Sequence, residues 1–227
     1  MPFELALRVT EILLALAMIQ QSLEHLATER RSRWIFLART GLCLLLLLSG
    51  IQPAVTLVPL LATSLLLLHR YQGPYNGGSD KMTLLILTCL TVSRLAPERY
   101  AELAFAYLAA QLLLSYFTSG WIKIINPDWR SGAALRDVFR FSAYPVSESL
   151  RGWADRPRVL QAAGWAVMLL ELAFPLSLLH PLTLMAALAC TAAFHFSNAC
   201  FFGLNRFFWI WIAAYPSILW LQGRLIG

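Results

Sequence analysis

The chain has 227 residues, of which 59% are hydrophobic and only 13% charged, with a net charge of +6. That composition lies outside the range of ordinary soluble domains, and the length suits one membrane domain with no sizeable soluble one beside it. The basic excess falls between apolar runs, so it points to membrane topology and not to nucleic-acid binding.

A first apolar stretch, 2–22, contains Glu4, Arg8 and Glu11. These lie on one helical stripe, so the helix faces a bundle interior or lies at the interface. Glu4 and Glu11 also interrupt any cleavable-signal pattern. Further spans are expected at 34–50, 53–69 and 82–96, the last one short for a hydrocarbon core of about 30 Å. The link "HRYQGPYNGGSDK" carries Asn-Gly and Gly-Gly steps that mark tight turns, and Asp80 stands where it could cap the next helix.

The fifth span, 100–122, runs into Lys123, which shares a helical face with Tyr116 and Gly120. One reading is a snorkelling lysine at the membrane boundary. The other is a desolvated lysine acting as a general base, since a neutral amine accepts protons. Gly120, one turn earlier, would let another group come close. Beyond it, 133–141 sets Leu135, Val138 and Phe139 against Arg136, Asp137 and Arg140, the pattern of a short amphipathic helix on or in the membrane surface. Trp129 reads as an interfacial anchor.

The sixth span, 158–179, holds Glu171, costly at membrane depth unless protonated, paired or facing a polar cavity. It is either an interhelical clamp to Arg39, Lys123 or His195, or a site residue. Pro175, four residues on, frees the Glu171 carbonyl and invites a kink. The seventh span, 181–202, holds His195 and Asn198 on one face, as interhelical glue or as a functional site. The eighth, 206–223, is again short. The four cysteines lie in apolar stretches without ligand spacing and read as small hydrophobes; His25, His69 and His180 show no paired spacing either, so no metal site is expected. The pattern gives an all-α polytopic bundle of about eight spans, one domain over 1–227.

Most Lys and Arg residues fall in alternate loops, so the Arg-rich segments 22–33, 70–81 and 123–158 are expected in the cytoplasm of a multi-pass cell-membrane protein. Eight spans leave both termini outside; if the first helix is only interfacial, the N-terminus is cytoplasmic and the rest stands.

Read together, four segments resemble a known pattern. "HFSNACFFGLNRFFWIWIAAYPSILW" is similar to the His-x-x-Asn, Gly-x-x-Phe helix pair of the vitamin K-dependent γ-glutamyl carboxylase family. "YFTSGWIKIINPDWRSGAAL" resembles its Gly-x-x-Lys followed by Asp-Trp-x-x-Gly, with one extra residue between lysine and tryptophan. "SLLLLHRYQGPYNGGSDKMTLLIL" looks like the Gly-x-Asp turn of the wider horizontally transferred transmembrane (HTTM) superfamily, and "LLELAFPLSLL" like its Glu-containing span. The segments fall in the expected order and cover most of the chain from about residue 60.

The resemblance implies that Lys123 is the base that deprotonates a reduced quinone of vitamin K or menaquinol type. It implies that His195 shares in the catalysis, and that Asn198, Glu171, Tyr116, Trp129 and Asp80 surround the quinol. It brings in O2, and carbon dioxide as a further co-substrate, with epoxidation of the quinol coupled to modification of a peptide or other second substrate. The carboxylase family's extramembrane substrate-recognition domain has no counterpart in this sequence. A soluble protein partner is therefore expected to capture the substrate, docking on the basic 123–158 segment unless that segment serves anionic lipid. The alternatives of another class are a non-catalytic membrane scaffold or maturation partner, and a transport or immunity protein with the same fold.

Overall fold

The computed structural model describes residues 1–28, 33–48, 52–70, 77–142 and 146–226. Among them are ten α-helices, two 3₁₀ segments and no strand. The helices are α1 (Phe3–Thr28), α2 (Arg33–Leu47), α3 (Pro53–Arg70), α4 (Gly78–Leu95), α5 (Glu98–Ile125), α6 (Pro127–Ser131), α7 (Ala133–Phe141), α8 (Pro157–Ala173), α9 (Pro181–Phe202) and α10 (Asn205–Ile226). The 3₁₀ segments are Glu148–Asp155 and Phe174–Leu179. Residues 71–76, where a tight turn is expected, and Arg30 and Arg31 lie outside the described residues.

Each of the eight expected spans coincides with a helix, but among the described residues four stretches are long and apolar enough to cross a bilayer. These are Pro53–Arg70, Glu98–Ile125, Pro157–Leu179 and Pro181–Phe202. The 15 residues of α2 reach only about 22 Å at 1.5 Å per residue. Charged residues dilute the apolar character of α1 (Glu4, Arg8, Glu11) and of α4 (Asp80, Lys81, Arg94).

Local chemistry sets the helix ends. Pro127, Pro157 and Pro181 open α6, α8 and α9 at first-turn positions where a missing N–H costs nothing. Asn126 caps α6 by accepting from the Asp128 N–H at 2.9 Å. Gly203 closes α9 in the left-handed conformation, its N–H reaching the Ala199 carbonyl at 3.1 Å. Pro175 does more than kink its helix: the chain tightens from α to 3₁₀ at Phe174. Asp80 does not cap α4. Gly77 holds that position with no side-chain bond, and Asp80 sits within the first turn and accepts from Gln21 Nε2 at 2.7 Å.

The chain divides into two compact units. Unit 1 comprises Met1–Ala110 and Trp209–Leu225; unit 2 comprises Gln111–Phe208. In unit 1, α1 packs on α2 and α4, and α3 packs between α2 and α4 in turn. Leu7, Leu14, Phe36, Leu57, Leu60, Ile86 and Leu90 are buried there. Phe3, Phe105 and Trp220 cluster with ring centroids 5.2–5.8 Å apart. In unit 2, α7 packs on the first 3₁₀ segment and on α8, and Phe139 anchors it among Leu160, Trp153, Phe201 and Phe202. The expected amphipathic helix at 133–141 is therefore present as α7, with Phe139 pulled inward and Phe141 left exposed.

Candidate functional site: a lysine–glutamate pair beside an apolar cavity

The α5 stripe that carries Tyr116, Gly120 and Lys123 is the spine of unit 2's polar interior. Glycine at position 120 decides how near α8 comes. A Cβ there would lie 2.8 Å from the Leu172 backbone nitrogen and 2.9 Å from the Glu171 Cβ, closer than real Cβ contacts allow. With only a hydrogen in that place, α5 and α8 touch and Glu171 meets Lys123, one helical turn along. Lys123 Nζ lies 2.6 Å from Glu171 Oε1 and 2.5 Å from Oε2. Of the three partners considered from sequence for Glu171, the structure selects Lys123.

Ser119, which the sequence reading did not single out, completes the group. Lys123 Nζ donates to Ser119 Oγ at 2.8 Å, and Ser119 Oγ donates to Glu171 Oε1 at 3.2 Å. The signal was present in the spacing, because Ser119 lies four residues before Lys123 on the same face. The Glu171 side chain is 4% exposed and that of Lys123 15%. A buried ion pair with its hydrogen bonds satisfied is tolerable in a low-dielectric interior, whereas either charge alone is not.

Lys123 also faces a cavity of about 580 Å³. Ala134, Leu135, Val138 and Phe141 supply its α7 wall, Val167 belongs to α8, and Phe194 and Phe202 to α9. The polar groups on the lining are few: Lys123, Asp137, Ser142, Asn198 and the indole of Trp129. Trp129 is held under the lysine, with Nζ 5.4 Å from the ring centroid, a cation–π distance. Its helix α6 is tied to α8 by Gln161 Nε2 and Trp165 Nε1, which both donate to the Arg130 carbonyl at 3.1 Å. Gly132, at φ +82°, lets the chain turn from α6 into α7 where a Cβ would strike Gln161 Cα at 2.9 Å.

The structure separates His195 from Asn198 although they share a helix. Asn198 lines the cavity with Phe194, one turn apart on α9. His195 is buried, and its Nε2 is hydrogen-bonded to the Tyr116 hydroxyl at 3.0 Å. Tyr116 packs on Phe174 with centroids 4.2 Å apart, at the point where α8 tightens into the 3₁₀ segment. Five expected site residues thus fall into two neighbouring groups of unit 2: Lys123, Trp129 and Asn198 at the cavity, and Tyr116 with His195 behind. Glu171 joins the first group through Lys123. Asp80 belongs to unit 1, where it shares a small cavity of mixed lining with Gln21, His25, Arg39 and Ser64; Arg39 Nη2 donates to Gln21 Oε1 at 3.2 Å there.

Apolar helices of membrane-crossing length, with an ion pair buried between two of them, define a helical membrane protein with a polar interior. The model of the HTTM domain matches residues 90–221, and the chain belongs to that family. The match covers α5 to α9, and with them Lys123, Glu171, His195 and Asn198. No curated protein and no solved structure matches the chain.

Proposed function

We propose that this HTTM protein is a membrane enzyme that binds a lipophilic quinol in the unit 2 cavity and removes a proton from its hydroxyl at Lys123. One observation carries the reading: a lysine that is paired and largely buried still forms part of the wall of an apolar cavity. The cavity's size lies within the range of small-molecule sites, roughly 300–1,000 Å³. Its apolar walls on α7 and α9 suit a fused-ring quinol, and Asn198 offers a hydrogen-bonding group to a ring oxygen. Trp129 beside Lys123 presents an aromatic face to the same space.

A reduced quinone of vitamin K or menaquinol type would supply, with O2, the oxidation that drives chemistry on a second substrate such as a peptide. The chain's own part is to orient the quinol and take its proton. The Lys123–Glu171 pair itself is largely buried, and a low-dielectric surrounding strengthens its charge interactions. His195 and Tyr116 support the α5–α9 contact behind the cavity, and Asp80 is left to unit 1. A peptide substrate or soluble partner, carbon dioxide as a co-substrate, and cytoplasmic placement of the Arg-rich loops complete the proposal.

The test uses the protein in nanodiscs with a reduced naphthoquinol and O2, and mass spectrometry for the quinone epoxide. Epoxide is expected from the wild type and not from Lys123→Ala. Absence of both epoxide and quinol binding in the wild type overturns the reading.

A further inference from the structure

The Lys123 ammonium has three N–H bonds and no lone pair. In this structure it has three acceptors in reach: both Glu171 oxygens and Ser119 Oγ. An amine so engaged is already protonated and cannot take a proton unless it releases one. The group with accepting capacity is Glu171. Its carboxylate lies away from the cavity, which Lys123 lines and Glu171 does not. From the cavity, the way to Glu171 leads through Nζ.

We infer that Lys123 hands a proton to Glu171 as it takes one from the substrate hydroxyl, and that Ser119 is the positioning residue that fixes which carboxylate oxygen receives it. This rests on the quinol reading of the cavity and names the proton's destination within it. One O–H bond of the quinol breaks and one N–H bond forms at Nζ; one N–H bond of Nζ breaks and one O–H bond forms on Glu171. The lysine is an ammonium before and after the exchange, its nitrogen lone pair being free only between release of one proton and capture of the next, and its new N–H faces the oxyanion.

The charge balance favours this route. A neutral amine acting alone beside an ionised Glu171 would end with one cation and two anions in a dry site. The relay ends with one cation, one anion and a neutral carboxylic acid, so no uncompensated charge is left in a medium that penalises it.

Ser119 distinguishes the two oxygens. Oε1 accepts from both Ser119 Oγ and Lys123, whereas Oε2 accepts from Lys123 at 2.5 Å. The oxygen with fewer donors is the better proton acceptor, so the proton arrives on Oε2. The serine hydroxyl also accepts from Nζ, which orients its own proton toward Oε1. Alanine removes both contacts, and threonine keeps the hydroxyl.

The experiment uses the full chain in nanodiscs, without oxygen, with 2-methyl-naphthoquinol as the probe. Optical absorption reports quinolate, and infrared difference spectra report a carboxylic-acid carbonyl. The wild type is expected to gain both signals together, and Glu171→Gln to lose the carbonyl band. Ser119→Ala should bind the probe with unchanged KM, shift the carbonyl band, and lower kcat under oxygen by about tenfold, the effect of one lost hydrogen bond to a charged group. Ser119→Thr should restore both. Quinolate formed without a carbonyl band overturns the relay and leaves the quinol reading intact. A Ser119→Ala protein with an unshifted band and full kcat overturns the serine's role. Failure of the probe to bind at all overturns both the relay and the quinol reading.

Discussion

In unit 1, Glu11 is fully buried and meets two arginines: Arg94 Nε at 2.6 Å and Arg8 NH1 at 3.3 Å. Arg94 also reaches Glu4 at 2.6 Å, and Arg8 donates to the Leu46 and Leu47 carbonyls at 2.8 and 2.9 Å, capping the C-terminal end of α2. In unit 2, one lysine meets one glutamate, and the lysine stands at the wall of an apolar cavity of about 580 Å³. Both arrangements bury a carboxylate between helices. The first engages its charges with other charges and with helix-end carbonyls. The second leaves the cationic partner in contact with space a substrate can fill. Here the lysine–glutamate pair is the candidate site because its cation borders an apolar cavity large enough for a substrate.

Breaking each network in turn separates the two roles. The largest effect on stability is expected from Glu11→Ala, which leaves Arg94 and Arg8 facing each other without their shared anion and should cost about 3–5 kcal/mol. Thermal unfolding in detergent reads this, and the folded fraction should still bind naphthoquinol. Lys123→Met also strands the buried Glu171 carboxylate and should lower stability by about 3–5 kcal/mol, but its distinguishing effect is on chemistry: the folded protein should retain quinol binding while quinolate formation falls by about 10²-fold or more, as expected for loss of a proton-transfer group. Gly120→Ala forces α5 and α8 apart and should cost about 1–3 kcal/mol, the usual effect of overpacking. Quinolate formation should fall in parallel, because the Lys123–Glu171 contact depends on that approach; a Gly120→Ala protein of unchanged stability would show that the helices separate freely.

Asn198→Ala should raise KM for the quinol by roughly tenfold, one hydrogen bond's worth, with a smaller effect on kcat. The smallest effect is expected at the exposed Glu148–Arg151 pair. A hydrogen bond from Arg151 holds the Glu148 carboxyl below its ordinary value of 4.5. The contact therefore stabilises at higher pH and is lost as pH falls below 4.5 through the lowered value. Arg151 also donates to the Arg140 and Ser142 carbonyls at the end of α7. Protection of the α7 amides, relative to their intrinsic exchange rates at each pH, should thus fall slightly in acid for the wild type, and Arg151→Ala should show the lower protection at every pH.

Much of the architecture was legible from residue order, because helical periodicity and proline or glycine punctuation act locally. The interval 133–141 read as amphipathic and forms α7 at those bounds; Pro127, Pro157 and Pro181 each mark a helix start. Lys123, Glu171, His195 and Asn198 stood out because a polar group in an apolar run needs a partner. The resemblance to the HTTM superfamily agrees with the family match over 90–221. Of the eight expected spans, four are long and apolar enough among the described residues to cross a bilayer; an apolar stretch shows that a segment is buried but not whether bilayer or protein buries it.

Which partner each polar residue takes was decided by tertiary packing alone. Glu171 had three candidate cations, and the choice of Lys123 depends on Gly120 allowing α8 within contact of α5. His195 and Asn198 share a helix, yet one turns to Tyr116 and the other to the cavity, because neighbouring helices and not spacing assign each face its surroundings. Ser119 gained its place only once Glu171 arrived from 52 residues away. The sequence by itself determined which groups must be satisfied inside this protein, since the cost of burying them is a property of each residue. The tertiary structure decided how they are satisfied, because hydrogen bonds and ion pairs depend on distances between helices that no single helix encodes.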